Sequence, residues 1–193
     1  MLGTLIRKTR SFRRFHQDTP VKLETLRNQV NLARQSASAA NLQPLKYILC
    51  CDPELNAQIF PSLGWAGYLR DWGGPAEGER PAAYIVILGD TTIRKDFGCD
   101  HGIAAQSIML GLTEQGLGGC MIGSIKRDAL RETLGIPAQY EILLVLAIGS
   151  PKETVVLEDV GSEGDIRYYR DEQDVHHVPK RLLDDVIIDA RGV

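Results

Sequence analysis

Ala82-Ala83-Tyr84-Ile85-Val86-Ile87-Leu88 is a continuous apolar run, with Pro81 before it and Gly89-Asp90 after it. A strand with one face in water alternates apolar and polar residues, whereas an unbroken isoleucine and valine run is expected where both faces are covered. The run therefore reads as a central strand, and Ile142 to Ile148 as a second of the same kind. Between them, Phe97 to Gln115 is apolar nearly all round, with Gly116 and Gly118 placed to end it, which predicts a buried helix. Working outward, Leu23, Leu26, Val30, Ala33 and Ala37 share one stripe and predict a helix within Val21 to Ala40. Small and amide residues up to Pro44 then form a loop. Tyr47 to Cys51 and Gly119 to Ile122 read as strands, and residues 53 to 61 as a short helix. Residues 62 to 81 read as a Gly- and Pro-rich connection, and Ser124 is placed to cap a helix over Lys126 to Leu134. After Pro151 the chain turns polar; Asp165 to Tyr169 predicts an edge strand and Lys180 to Ile188 a last short helix. This alternation predicts a single mixed α/β or α+β domain over residues 1–193. Its tail, about 151–193, has too little apolar content to fold alone and is expected to pack on something, with a second copy of the chain as the natural candidate.

Twenty-two basic against twenty-five acidic residues give a net charge of −3, which excludes the global electrostatic footprint of a nucleic-acid binder. Cys50, Cys51, Cys99 and Cys120 show no Cys-x-x-Cys spacing, which favours free thiols in a reducing, cytoplasmic setting. The N-terminus lacks a signal-peptide h-region and no apolar run approaches the roughly 18 residues of a membrane span, so no membrane association is expected.

Positive charge is concentrated locally in Thr9-Arg10-Ser11-Phe12-Arg13-Arg14-Phe15. Guanidinium is permanently charged and offers a planar donor fork, and serine adds a short donor, a combination suited to a phosphate ester. Trp65, Tyr68, Arg70 and Trp72 lie in the 62–81 connection and could form a substrate lid or simply anchor the loop. Asp100 and His101 open the buried helix, where an acid complements the helix dipole. His176 and His177 are adjacent; in a strand they face opposite ways, which argues against a metal site. Cys120 has no paired base and reads as a core thiol, and no triad or carboxylate pair is evident.

Three features occur in fixed order: the Arg10/Ser11/Arg13 cluster, the Ser38-to-Pro44 loop, and Gly116-Leu117-Gly118-Gly119-Cys120-Met121-Ile122-Gly123. Together they resemble the FMN-dependent nitroreductase family, with Asp165 to Arg170 and Val178 to Arg181 resembling the tail of its short members. The resemblance implies an α+β, three-layer fold with a mostly antiparallel central sheet flanked by helices, and a C-terminal extension packing on a partner subunit. It implies that Arg10, Ser11 and Arg13 hold the FMN phosphate and ribityl oxygens together with a basic tail residue, Lys180 or Arg181. Ser38, Asn41 and Gln43 would meet the flavin's polar edge, and the amides of Gly118 or Gly119 would donate toward the ring. Thr9 stands where relatives often carry Arg or His, Ala37 where a proline often precedes the loop serine, and Leu45 where Trp is frequent. The implied activity is ping-pong hydride transfer from NADH or NADPH through flavin N5 to an electron-poor acceptor such as a nitroaromatic or quinone, in a homodimer with interfacial sites and no catalytic side chain. Alternatives are a specialised flavin dehydrogenase or dehalogenase of the same family, or a flavin-binding protein without turnover.

Overall fold

The computed structural model describes residues 1–161 and 163–192. Helices α1 (Leu2–Lys8) and α2 (Leu23–Ala33) precede strand β1 (Leu45–Cys50). Helix α3 (Pro53–Ile59), strand β2 (Ala83–Asp90), helix α4 (Asp100–Glu114), strand β3 (Gly118–Ile122), helix α5 (Arg127–Leu134) and strand β4 (Tyr140–Gly149) complete the body. The tail carries strands β5 (Val155–Asp159), β6 (Tyr169–Arg170) and β7 (His176–Lys180) and the short helix α6 (Leu183–Val186).

The main sheet runs β1-β2-β4-β3, and every neighbouring pair is antiparallel. Each residue of β2 is buried because both faces are covered. Ile85 and Ile87 point into one core with Leu26 of α2 and Ile108 and Leu112 of α4, while Tyr84, Val86 and Leu88 point into the other with Ile59 of α3 and Leu130 of α5. The result is a three-layer α+β domain whose sheet is a filled wall. Among the described residues no helix is long and apolar enough to cross a membrane.

Several boundaries depart from expectation for physical reasons. Helix α2 stops at Ala33 because Ser36 Oγ bonds back to Leu32 O and to Ser107, and the chain then turns toward α4. Ser124 does not cap α5, whose N-terminus has no side-chain cap; instead its carbonyl accepts from Gly64 N (2.8 Å), tying the 62–81 connection to this corner. Strand β5 is an addition, pairing parallel to β7, and the expected edge strand shrinks to Tyr169–Arg170. Lys180 ends β7 rather than opening the last helix, because its carbonyl accepts from Val160 N (2.8 Å) and keeps the chain extended. Helix α1 was not foreseen either. Thr9, buried at its end, donates through Oγ1 to Leu5 O (2.9 Å) and reaches Thr113 on α4 (3.0 Å), so this threonine ties two helices together.

Candidate anion and flavin site

Helix α1 delivers residues 9–15 onto the edge of β3. Phe12 N donates to Gly119 O (2.9 Å), Ser11 bridges Gly119, and Phe15, fully buried, bridges Pro151. This backbone pairing fixes alternate side chains on opposite sides. Arg10, Ser11 and Arg13 line a cavity of about 380 Å³, whose far wall is the tail, through Tyr168, His176 and Lys180. Gln106 and Met109 of α4 complete it. Among the described residues no carboxylate lines this cavity, and Arg10, Arg13 and Lys180 form no ion pair. Arg10 Nη2 donates to Ile6 O (2.7 Å), while its buried Nε has no partner, and burial pulls its pKa down. Arg13 donates through Nη1 to Ser11 O (3.3 Å), contacts His176 Nε2 (3.3 Å) and lies 4.8 Å from the Tyr168 ring centroid.

Arg14 is different. It is clamped by Glu79, through Nε (2.6 Å) and Nη2 (2.8 Å), and by Asp174, with Lys152 adding a second cation to Glu79 (3.0 Å). The Arg14 hydrogen bonds hold the Glu79 carboxyl down, from an ordinary 4.5 to about 2, against the opposing effect of burial. A depressed folded pKa contributes stability above the unfolded value that is lost as pH falls toward the folded one. The urea midpoint is therefore expected to drop between about pH 4.5 and 2. Glu79→Gln should remove that part of the pH dependence; an unchanged profile in the variant would place the acid sensitivity elsewhere.

The Ser38 loop owes its shape to a residue the sequence assigned only to a helix dipole. Asp100, 2% exposed in the first turn of α4, accepts from Ser38 Oγ (2.7 Å) and Ala39 N (3.1 Å), and Ser38 Oγ in turn accepts from Gln43 N (3.0 Å). These bonds hold Ala40, Asn41 and Gln43 at φ of 50°, 55° and 51°, a left-handed conformation that persists in non-glycine residues only when surroundings impose it. Ser38 and Gln43 line a cavity of about 240 Å³ with Asp100, Lys46 and Tyr47. Asn41 does not line it; Gln43 Nε2 donates to its Oδ1 (3.2 Å). Burial, then the Asp100 charge, pushes the Tyr47 phenol up to about 12, so it stays a neutral donor. Within one chain the Arg13 and Ser38 cavities are separate, though α4 borders both: Asp100 and Ala104 on one, Gln106 and Met109 on the other.

Gly118 and Gly119 lie in β3, and their missing Cβ atoms are required by the chain's own packing. A Cβ at Gly118 would meet Phe12 (2.5 Å) and Pro151 (2.7 Å), and one at Gly119 the carbonyl of Ala147 (2.6 Å). The aromatic residues of the 62–81 connection act as anchors. Trp65 packs on Phe60 (5.7 Å between centroids), Tyr68 on Tyr168 (4.9 Å), and Arg170 lies 4.4 Å over Trp72. None of the three, and neither Arg70 nor Arg181, lines the two cavities; Tyr68 and Trp72 dock the connection onto the tail. His176 and His177 face opposite ways, as a strand requires. His176 is buried toward Arg13, and His177 sits between Asp171 and Glu158, each at 3.0 Å. Among the described residues no group of three His, Cys, Asp or Glu could hold a metal ion, and the four cysteines are free.

This geometry has counterparts in known proteins. The family model described as the nitroreductase family matches residues 6–67 and 78–150. A curated relative from Archaeoglobus fulgidus, provisionally assigned as an NADH dehydrogenase/NAD(P)H nitroreductase, is 27% identical over 153 residues, covering 75% of this chain and 83% of the relative. A nitroreductase family protein from Streptococcus pneumoniae superimposes with a TM-score of 0.71 at 19% identity, covering 99% of this chain and all of the other. An FMN-dependent nitroreductase from Clostridium difficile gives a TM-score of 0.64 at 26% identity, over 79% of this chain and 88% of that one.

Proposed function

The chain belongs to the nitroreductase family and is a flavin-dependent oxidoreductase, and we propose that it binds FMN and uses NADH or NADPH to reduce electron-poor acceptors such as nitroaromatics or quinones. The observation that carries the cofactor assignment is the cavity where Arg10, Ser11, Arg13 and Lys180 meet without a carboxylate. Unpaired cations around a concave site, one with a buried Nε lacking a partner, fit a phosphate better than a solvated surface. Arg10, Ser11, Arg13 and Lys180 would hold the phosphate end, with Arg181 next along the chain. When bound, the flavin would supply the two-electron chemistry, accepting hydride from the nicotinamide at N5 and passing it on in a second half-reaction.

The Ser38 loop, with Asn41 and Gln43, presents short donors and acceptors suited to a flavin's pyrimidine edge, and Asp100 keeps it rigid. Because its cavity is separate from the basic one in a single chain, the complete site is assigned to a homodimer. The exposed Leu183, Val186 and Ile188, beyond the strands that dock on their own chain, offer apolar surface to the second copy. Free cysteines accord with a reducing cytoplasm.

The purified protein is expected to be yellow, to release FMN on denaturation, and to bleach when NADH or NADPH is added without oxygen. Turnover with nitro compounds, quinones and halophenols then ranks the acceptors. Colour without bleaching would convert the assignment into a flavin carrier, and colourless protein that fails to take up added FMN would end it.

A further inference from the structure

His176 is 1% exposed, lines the basic cavity, and places Nε2 3.3 Å from Arg13 Nη1. Tyr168 touches both, its ring centroid 5.2 Å from that of His176 and 4.8 Å from Arg13 Cζ. We propose that His176 is a positioning residue for anion binding: its uncharged Nε2 accepts a hydrogen bond from Arg13 and, with the Tyr168 ring, fixes that guanidinium on the cavity wall. The proposal rests on the assignment of the cavity to the FMN phosphate.

Stability alone does not account for an imidazole here. If Nε2 accepts, Nδ1 carries the proton, and Nδ1 is buried with no partner. An unpaired buried donor is unfavourable, and an apolar side chain would fill the place without it. Broken local rules of this kind collect at functional sites. The ring must also be neutral, since an imidazolium has no lone pair to offer and would repel Arg13. Burial first, then the Arg13 and Arg170 charges, depress its pKa to about 4, so it remains an acceptor at neutral pH. The strand holds the ring in place: His176 N donates to Thr154 O (2.9 Å), and on the opposite face His177 is clipped between Asp171 and Glu158. Arginine's many rotamers would otherwise be frozen only on ligand binding, so fixing the fork beforehand favours affinity.

FMN and riboflavin differ by the phosphate alone, so paired titrations of apoprotein by flavin fluorescence isolate its contribution. Wild-type protein should prefer FMN. His176→Leu should weaken FMN about tenfold, the scale of a lost hydrogen bond to a charged group, with riboflavin binding unchanged. His176→Gln, whose amide oxygen can accept from Arg13, should retain the preference within about threefold. His176→Met provides the same comparison if the leucine variant does not fold. Wild-type preference for FMN that persists in the leucine or methionine variant overturns the role of His176 alone, as does equal weakening of both flavins. Wild-type protein that does not distinguish the two flavins overturns the phosphate assignment and the His176 proposal with it.

Discussion

Arg13→Ala is expected to weaken FMN binding by roughly 10- to 150-fold, the equivalent of about 1.5–3 kcal/mol for charge-assisted hydrogen bonds, while riboflavin binding stays near wild type. The expectation depends on how differently the clustered arginines are used. Arg14 is engaged by Glu79 and Asp174, so its removal would leave the half-buried Glu79 with Lys152 alone and weaken the fold. The Arg13 guanidinium has no carboxylate partner among the described residues; only its backbone N–H meets one, Glu153. Truncating it leaves behind the Tyr168 ring and a neutral imidazole, so the loss should appear in binding rather than in melting temperature. Arg13→Lys should fall between, because an ammonium keeps the charge but not the planar fork. The wild-type advantage should also shrink as salt rises, as for any exposed charge contact. Measured by fluorescence titration, an Arg13→Ala protein that binds FMN as tightly as wild type would show that the phosphate does not lie in this cavity.

The division of labour among these arginines marks what the sequence could and could not disclose. Charge density at residues 10–14 is a local property and was readable directly; the partner of each guanidinium is a matter of tertiary placement, since Asp174 is 160 residues from Arg14. The same distinction runs through the fold. Strands β2 and β4 were legible because their burial leaves long apolar runs, and helix α4 because its buried face is apolar over nearly four turns. Strands β5 and β7 were not, because their short segments are mostly half covered and hold no long apolar run, β5 ending on two acids and β7 carrying a proline. Ser38, Asn41 and Gln43 stood out as polar residues in a loop, yet what shapes that loop is Asp100, an acid of the kind common at helix N-termini. His176 gave a single discernible signal, its opposition to His177 along a strand, and its relation to Arg13 emerges only once β7 is laid against the N-terminal segment. Gly118 and Gly119 were recognised as places of close approach, and the approaching groups shown by the structure are Phe12, Pro151 and Ala147.

That last point bears on stability. Gly119→Ala should destabilise the protein by about 3 kcal/mol, near the upper end for overpacking, and lower its melting temperature by roughly 6–12 °C. The added Cβ would lie 2.6 Å from the carbonyl oxygen of Ala147, in the β4 strand that β3 pairs with through Gly119↔Ile148 and Cys120↔Ala147. Met109 Sδ, at 3.1 Å, can rotate away, but the carbonyl cannot move without displacing β4, whose residues Val145 to Ile148 are fully buried. Relief must therefore come from pushing β3 outward, and β3 carries the backbone contacts that seat Ser11 and Phe12. FMN affinity should fall along with stability, because the basic cavity is built on that seat. Gly118→Ala should cost less, since its obstacles are the Phe12 and Pro151 side chains, and Gly123→Ala should be nearly silent, with nothing within 4 Å. Urea denaturation of the three variants tests the ranking. A Gly119→Ala protein as stable as Gly123→Ala would mean that the β3–β4 pair yields easily, and that the N-terminal arginines do not depend on that strand for their position.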